Sequence, residues 1–388
     1  MQTLAFARSF SLSLACIAGC VGTADPSATE SHADEIVLPV ISGPRARLSL
    51  GGNQGSQSRA LAIRASTGEA ARWGLGYVDR ILGLPTSIIA TANTVSVASG
   101  PLHSCMLRAD GTVWCSGEGP LGGATQSSVV PVQVQGLFNV ISITSGESHA
   151  CAIRADRSLW CWGRNTYGQL GNGTTSDSPT PVRVPLSNVV QVSAGFVFTC
   201  AVNTSGATFC WGSNAGAELG DGTFTDRWSP TPVPLSNVLS VSAGGAHTCA
   251  LLNSGALRCW GDNRTGALGD GTATTRATPT PVLGLTNAIA VTATQWFTCA
   301  LDSANAAWCW GDNGYGQLGD GTTTTRALPT RVATSLTFSE ISAGTSTACG
   351  MQPSGAVWCW GSNFSGTLGV GTLPPTMSTT PVRALGLP

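Results

Sequence analysis

The sequence predicts an all-β protein, a seven-bladed β-propeller built from four-stranded antiparallel blades. Twelve of the fourteen cysteines fall into six pairs, and the two members of every pair are ten residues apart. The first members of successive pairs are 46, 49, 49, 50 and 50 residues apart. Short apolar runs separated by Gly-, Ser- and Thr-rich turns fill each interval, without helical periodicity. Four short strands in about 50 residues are the pattern of a propeller blade.

Each repeat contains the same four strands in the same order. The first is an alternating strand such as residues 189–195, and the second holds the first cysteine. A tight turn leads to the third strand, which holds the second cysteine, usually in a Cys-Trp-Gly triplet. A long loop such as residues 313–322 precedes the fourth strand, for example residues 180–184. The pairs are Cys105 with Cys115, Cys151 with Cys161, Cys200 with Cys210, Cys249 with Cys259, Cys299 with Cys309, and Cys349 with Cys359.

A seventh, degenerate copy precedes these six. Residues 48–52 match the first strand, and Trp73-Gly74 matches the Trp-Gly of the later triplets. In this copy Leu61 and either Ala71 or Arg72 replace the cysteines. The predicted repeats are 45–93, 94–139, 140–188, 189–237, 238–287, 288–337 and 338–388.

A propeller must close into a ring, so the first and last copies should be neighbours. We expect residues 45–50 to pack near residues 381–386. The match of Pro39-Val40 to Pro181-Val182 also allows an N-terminal strand to join the last blade.

The N-terminus has the features of an export signal. Arg8 precedes a mostly apolar stretch, residues 10–18, which is too short to span a bilayer. The stretch ends in Ile17-Ala18-Gly19-Cys20, which resembles a bacterial lipobox whose cysteine is lipidated. We therefore predict a signal peptide over 1–19, a polar tether over 20–37 and the propeller over 38–388. Val21 in place of Asp favours the outer membrane, with a periplasm- or surface-facing body; an ordinary signal peptide and a secreted protein are the alternative.

Two segments resemble the repeat signature of the regulator of chromosome condensation family, in an exported, cysteine-paired bacterial form. They are residues 242–251, Ser-Ala-Gly-Gly-Ala-His-Thr-Cys-Ala-Leu, and residues 310–322, Trp-Gly-Asp-Asn-Gly-Tyr-Gly-Gln-Leu-Gly-Asp-Gly-Thr. The resemblance implies a seven-bladed propeller. Family members include a nuclear guanine-nucleotide exchange factor, ubiquitin-ligase modules, a plant light receptor and a bacterial β-lactamase inhibitor, so the fold alone does not fix the function.

The paired cysteines are predicted to form one disulfide in each of six blades. The turn between the two members of a pair ends in Gly or Asn in five of the six copies, and in Arg157 in the other. This fits a three-residue hairpin loop whose last position is left-handed, and it places the two cysteines opposite each other. Zinc and redox sites require shorter cysteine spacings than these. Strand alternation places Trp160 and Trp162 on the face opposite Cys161, so the tryptophans should pack as core against the disulfide face of a neighbouring blade.

Composition and motifs argue against catalysis and against nucleic acid as a partner. The net charge is −1 and only 10% of residues are charged, with no evident basic patch. His103, His149 and His247 occupy a position that is Phe or Thr in other copies, so they should serve packing. The recurring Asp221, Asp270 and Asp320 fit turn residues better than calcium ligands. We therefore expect no enzyme, no metal and no cofactor.

Non-repeating residues in the loops are the candidates for binding. Phe196, Phe198, Trp296 and Phe297 follow the first strands of blades 4 and 6 and could line one apolar rim, although Phe198 and Phe297 could instead replace a buried His. Trp228, Arg276 and Arg326 on the longer loops are secondary candidates. These features predict a monomeric cell-envelope module that binds a protein or glycan. Enzyme inhibition is the alternative, and nucleotide exchange on a GTPase is disfavoured by export.

The lipobox generates a test of localisation. Cys20→Ser removes the only acceptor of the lipid, so the variant should move from the membrane fraction to the soluble fraction after cell fractionation. A Cys16→Ser variant, altered within the signal peptide, is the matched control and should stay with the membrane. Retention of the Cys20→Ser variant in the membrane would exclude the anchor.

Overall fold

A computed structural model describes residues 47–52, 58–64, 68–75, 81–87, 93–119, 121–371 and 376–385. The predicted signal peptide, Cys20, the tether and the Pro39-Val40 strand lie outside these residues. In the described part of the chain, no helix is long and apolar enough to cross a membrane.

Seven four-stranded antiparallel sheets form the described structure, as the sequence predicted. Consecutive strands pair in chain order within each sheet. Blades 1 to 3 consist of β1 (Leu48–Gly52), β2 (Ser58–Ile63), β3 (Ala70–Leu75), β4 (Ile81–Ser87), β5 (Thr94–Ser99), β6 (His103–Arg108), β7 (Val113–Glu118), β8 (Ser127–Gln133), β9 (Val140–Ser145), β10 (His149–Arg154), β11 (Leu159–Gly163) and β12 (Ser178–Arg183).

The remaining four blades repeat the pattern at nearly constant spacing. Blades 4 and 5 consist of β13 (Val189–Ala194), β14 (Phe198–Asn203), β15 (Thr208–Gly212), β16 (Arg227–Pro232), β17 (Val238–Ala243), β18 (His247–Leu252), β19 (Leu257–Gly261) and β20 (Arg276–Pro281). Blades 6 and 7 consist of β21 (Ala288–Ala293), β22 (Phe297–Asp302), β23 (Ala307–Gly311), β24 (Arg326–Arg331), β25 (Glu340–Ala343), β26 (Thr347–Met351), β27 (Val357–Ser362) and β28 (Met377–Arg383).

The first strand of each blade lies innermost and contacts the first strands of its two neighbours. A hydroxyl on this strand accepts a backbone N–H of the next blade at five of the junctions described. The acceptors are Ser49, Thr144, Ser193, Ser242 and Ser342, at donor–acceptor distances of 2.9–3.1 Å. These bonds join neighbouring sheets that share no strand.

The ring closes where β1 meets β25. The Glu340 carboxylate accepts the backbone N–H groups of Arg47, at 3.0 Å, and Leu48, at 2.9 Å. The first and last copies are therefore neighbours, as expected. Leu48 and Leu50 also share a hydrophobic cluster with Val382 and Ala384, as expected, while the strand on which β1 packs directly is β25, the innermost strand of blade 7.

The six hairpins place their cysteines as the sequence predicted. Every pair is directly opposed in register and disulfide-bonded, with Cα atoms 4.0–4.1 Å apart. The last turn residue has positive φ in all six copies, including Arg157 at 62° and Asn305 at 61°. In blade 1, Leu61 is opposite Arg72 at the equivalent position. The confirmed bonds join Cys105 to Cys115, Cys151 to Cys161, Cys200 to Cys210, Cys249 to Cys259, Cys299 to Cys309, and Cys349 to Cys359.

Each disulfide packs under a tryptophan of the following blade. The bond between Cys200 and Cys210 shares a core cluster with Trp260, and that between Cys349 and Cys359 shares one with Trp73 across the ring closure. The prediction that the tryptophan face packs on a disulfide face is confirmed for the fully buried tryptophans. These are Trp73, Trp162, Trp211, Trp260, Trp310 and Trp360.

The other member of each Trp pair is less buried than predicted. Trp160 is only partly buried, because it faces the exposed outer-strand residue Arg183. Trp308 and Trp358 are likewise partly buried. Only one tryptophan of each pair is therefore core.

The long loop of the preceding blade covers each of the buried indoles. The Trp260 Nε1–H donates to the carbonyl oxygen of Glu218 at 2.8 Å, and Trp211 bonds that of Gln169 at 3.0 Å. A Cβ at Gly220 would lie 2.5 Å from the Trp260 Nε1, so only glycine fits there. The recurrent Leu-Gly pair of the long loop therefore belongs to the same interface between neighbouring blades. This interface, made of the disulfide and long loop of one blade and the tryptophan of the next, is called here the joint between blades.

Only the junction between blades 1 and 2 departs from this arrangement among the described residues. Blade 1 has no cysteines, and Ser116 in blade 2 stands where the later blades have the buried Trp. Leu61, Ile63 and Met106 fill the space instead. The disulfide and the tryptophan are lost together, which indicates that they form one packing unit.

The histidines also lie in joints between blades. His149 and His247 are buried, and their Nε2 atoms bond the hydroxyls of Thr199 at 2.9 Å and Thr298 at 2.8 Å in the next blade. Each hydroxyl donates to a carbonyl oxygen, so the Nε2 must carry the proton. This supports the sequence-based assignment of these positions to packing.

Burial holds both imidazoles neutral. It lowers the pKa of His149 to about 3, assisted by the charge of His103, and the pKa of His247 to about 4. Their Nδ1 atoms are buried without a hydrogen-bond partner, so a second proton would have no acceptor.

Removal of a disulfide should destabilise the fold through its tryptophan as well as through the chain. We expect Cys200→Ala with Cys210→Ala to lower the free energy of unfolding by about 2–4 kcal/mol. In a Trp260→Leu background the further loss should be smaller by at least ~0.5 kcal/mol, because the two groups touch. With Trp360→Leu, in a distant joint, the losses should add. Urea unfolding measures the free energy of unfolding of each variant. The same deviation from additivity in both backgrounds would contradict a specific interaction between this disulfide and Trp260.

The buried histidines should make the fold sensitive to acid. The unfolded chain protonates these imidazoles near pH 6.5, whereas the folded chain does so only near pH 3–4, so stability falls as the pH drops through this window. We expect roughly 2 kcal/mol lost per histidine at pH 5. His149→Phe with His247→Phe should remove this loss, since Phe198 already occupies the position in blade 4.

Thermal unfolding of wild type and variant from pH 4 to pH 8 provides the measurement. The comparison is differential because Glu218 and Glu340, whose pKa values burial raises to about 7, contribute the opposite slope in both proteins. Parallel profiles for the two proteins would show that the histidines are not the cause.

Candidate functional site

Strand direction divides the loops between two faces of the ring. The loop after each first strand and the long loop after each third strand lie on one face, called here the long-loop face. The cysteine hairpin turns and the connections between blades lie on the other, called here the hairpin face. All the candidate binding residues belong to the long-loop face.

A buried asparagine organises each complete long loop. In blade 4 the Asn214 Oδ1 accepts the N–H of Leu219 at 3.0 Å, and its Nδ2 donates to the carbonyl oxygen of Thr223 at 3.0 Å. This asparagine was not among the predicted site residues, although its constant place after Trp-Gly is visible in the repeats. The equivalents, equally buried and with the same bond to leucine, are Asn165, Asn263, Asn313 and Asn363.

The recurring aspartates stabilise turns in these loops, as the sequence indicated. The Asp270 Oδ1 accepts the backbone N–H of Thr272 at 2.9 Å and its hydroxyl at 2.7 Å. Asp221 and Asp320 make the same two bonds. These bonds, together with an arginine partner, lower the pKa of all three carboxyls despite the opposing effect of burial.

Arg276 and Arg326 are not free for a ligand. Arg276 pairs with Asp270 at 2.9 Å and Arg326 with Asp320 at 3.1 Å, as Arg227 pairs with Asp221 at 2.8 Å. The two copies without the aspartate, at Asn172 and Val370, also lack the arginine six residues later. We therefore infer that these arginines stabilise the long loops through their ion pairs.

Phe198 and Phe297 do not contribute to an exposed rim. Both are fully buried in the joints between blades, at the position that holds His149 and His247 elsewhere. The alternative reading of the sequence, a replacement for a buried histidine, is the correct one.

Phe196 and Trp296 are partly exposed but lie apart. Phe196 borders the central opening, where its equivalents are Gly245 and Gln295. Trp296 is one position nearer the cysteine, outside this lining, and the Arg264 guanidinium lies 5.4 Å from its ring centroid. The two side chains therefore do not form the single apolar patch that the sequence suggested.

Exposed aromatic side chains instead occupy the outer part of the long-loop face. Trp228 is 53% exposed and Phe224 60% exposed, both in blade 4. Trp228 packs on the long loop of blade 3: its carbonyl oxygen accepts the N–H of Gly173 at 2.9 Å, and a Cβ at Gly168 would clash with it. Tyr167 of that loop is also exposed.

A second aromatic group lies on the same face at the junction of blades 6 and 7. Tyr315 and Phe364 form an edge-to-face pair there, with ring centroids 5.8 Å apart. Both side chains are exposed. The long-loop face thus offers aromatic surface at two places.

The titratable groups of this face do not assemble into a reactive cluster in the described residues. No group of three His, Cys, Asp or Glu side chains there could hold a metal ion. Glu218 is the most perturbed acid, because burial raises its pKa to about 7. Its Oε2 accepts the N–H of Gly216 at 2.9 Å, in the place where other copies have Gln169 or Gln317. The arrangement suits loop stabilisation.

Solved structures share this architecture. Human WBSCR16 is 23% identical, with 79% of this chain and 85% of that chain covered at a TM-score of 0.71. Prp20p of Saccharomyces cerevisiae, studied for its binding to Gsp1p and histones, is 20% identical, with 84% and 87% covered at 0.73. The CRINKLY ectodomain of the Arabidopsis thaliana receptor kinase ACR4 is 18% identical, with 86% and 98% covered at 0.52. At these identities the similarity concerns the fold.

No curated protein matches the sequence significantly. The model of the RCC1-like domain, however, matches residues 64–387, which include the last two strands of blade 1 and all the later blades. The fold class, the repeat signature and this match agree, and the chain belongs to the RCC1-like propeller family.

Proposed function

We propose that this protein is a non-enzymatic, monomeric binding module of the cell envelope that holds a protein partner on its long-loop face. The observation that carries the proposal is the set of exposed aromatic side chains on that face. They are Tyr167, Phe224, Trp228, Tyr315 and Phe364, each 43–60% exposed.

Several exposed aromatic residues on one face offer apolar area that a partner can bury. Trp and Tyr are enriched among the residues that dominate protein interfaces, because they bury a large area with few rotatable bonds. Trp228 is held in place by the backbone of blade 3, so binding would cost little further ordering. Phe224, on the long loop that precedes Trp228, is 60% exposed.

The six disulfides support export. Disulfides persist in oxidising compartments, so they indicate an extracellular or periplasmic environment. The lipobox at Cys20 is consistent with this and favours an outer-membrane lipoprotein. A receptor-kinase ectodomain among the similar structures also carries this fold, while Prp20p binds other proteins with it.

Affinity capture tests the proposed surface. The purified Cys20→Ser chain serves as bait in envelope extract, and the captured protein is then measured against purified variants. Trp228→Ala with Phe224→Ala should weaken its binding by about ten-fold or more. Leu239→Ala with Ile289→Ala is the matched control, since these side chains are 56% and 47% exposed but stand at the hairpin end of their strands.

If the variant with Trp228→Ala and Phe224→Ala keeps the wild-type melting temperature and still binds the partner as wild type does, the binding site is not on the long-loop face. Equal losses in both variants would indicate nonspecific hydrophobic capture. Recovery of a glycan without protein would show that the partner is a glycan and not a protein.

A further inference from the structure

The two faces of the propeller carry charge of opposite sign. Among the described side chains, the long-loop face has ten acidic residues and five arginines, whereas the hairpin face has four acidic residues and eight arginines. The arginines of the hairpin face are Arg64, Arg108, Arg154, Arg157, Arg183, Arg258, Arg331 and Arg383. Its acidic residues are Glu69, Asp110, Asp156 and Asp302.

Three charged side chains are left out of this comparison. Arg47 and Glu340 lie together at the ring closure and offset each other, and Arg72 lies within a strand of blade 1. Their omission does not alter the difference between the faces. The small net charge of the chain therefore conceals a strong separation across the disc.

The arginines nearest the outer rim stand beside tryptophans. Three of them end the outermost strands, are exposed, and are register partners of partly buried tryptophans. These pairs are Trp160 with Arg183, Trp308 with Arg331, and Trp358 with Arg383.

Two further arginines of the hairpin face lie over aromatic rings. The Arg108 guanidinium is 4.1 Å from the Trp114 centroid, and that of Arg154 is 4.4 Å from the Trp160 centroid. Trp and Arg are the side chains that favour the boundary between water and lipid headgroups. The hairpin face therefore combines the charge and the side-chain types that suit a membrane surface.

The chain enters the propeller from this same face. Strand β1 runs towards the central opening of the long-loop face, where Gly51 lies, so Leu48 is at the hairpin end. The first described strand therefore starts on the side that carries the excess of arginine.

We propose that the hairpin face docks on the anionic headgroups of the membrane that holds the lipid anchor. The choice of a lipid surface as the occupant rests on the proposed function, while the charge separation does not. Docking in this way directs the acidic, aromatic long-loop face away from the bilayer, where a protein partner can reach it. The membrane contact thus goes beyond the lipid anchor and sets the orientation of the module.

Vesicle binding by the mature chain, residues 20–388 with Cys20→Ser, tests the docking without the lipid and without the apolar signal peptide. We expect cosedimentation with phosphatidylcholine vesicles that contain phosphatidylglycerol, little with phosphatidylcholine alone, and loss of binding as salt shortens the screening length below about 8 Å. Arg183→Gln, Arg331→Gln and Arg383→Gln together should lower the partition coefficient by about ten-fold or more.

A control with the same change in net charge keeps the test specific. Thr175→Glu, Ala273→Glu and Thr323→Glu place three negative charges on exposed positions of the long-loop face and should leave vesicle binding near wild type. Equal losses in both triple variants, or no binding to anionic vesicles at low salt, would overturn the proposal. Binding to a soluble polyanion but not to vesicles would also overturn it, in favour of an acidic polymer as partner.

Fractionation of the Cys20→Ser variant in a high-salt buffer, which releases electrostatic docking but not a lipid anchor, separates this proposal from the anchor. Vesicle binding that persists while fractionation contradicts the lipobox would refute the anchor alone. Loss of vesicle binding with a normal membrane anchor would refute the docking alone.

Discussion

The close approach of backbone to backbone at the axis is the constraint on which this propeller depends. A glycine in the loop after a first strand lies against the carbonyl oxygen of the next blade: a Cβ at Gly51 would lie 2.6 Å from the Gly100 oxygen, and one at Gly195 2.5 Å from the Gly244 oxygen. The Cα–H group of the glycine contacts this carbonyl oxygen, and a residue with a Cβ could not come as close. Thr294 is the exception, and its hydroxyl instead bonds the backbone of Phe297. Because these contacts at the axis fix the distance between neighbouring blades, the side chains further from the axis must fill a space of fixed width between them.

The tryptophan, disulfide and Leu-Gly loop fill that gap as a unit. A disulfide that closes a loop of about ten residues destabilises the unfolded chain by roughly 2–3 kcal/mol through lost chain entropy. It also supplies a compact, fully buried surface on which the next indole rests. The junction of blades 1 and 2 supports this account, because Ser116 and Leu61 show that both halves of the unit are replaced together. The joint between blades, rather than the single blade, is therefore the unit of stability.

Local geometry explains which features the sequence could predict. The cysteine register follows from one hairpin of fixed length, so the six disulfides were predictable, and the indole–disulfide contact followed from strand alternation. Phe196 and Trp296 are not equivalent in the repeat, because Phe196 lies four residues before its cysteine and Trp296 three, and of the two only Phe196 borders the central opening. The pairing of Arg276 and Arg326 was visible as a constant spacing of six from an aspartate, lost in the copies without it. The charge separation between the faces required knowledge of which end of each strand carries each arginine.

The outer edges of the blades narrow the surfaces that a partner can use. Proline cannot donate to a sheet ladder, so an outermost strand that contains it resists the addition of a further strand from another chain. With the addition of strands at the circumference blocked in this way, recognition falls to the two faces of the ring. The long-loop face offers aromatic side chains among an excess of acidic residues, and the hairpin face offers arginine and tryptophan. The same ring is therefore suited to two different partners at once. The prolines of the outermost strands are Pro85, Pro131, Pro179, Pro181, Pro230, Pro232, Pro279, Pro281, Pro329 and Pro381.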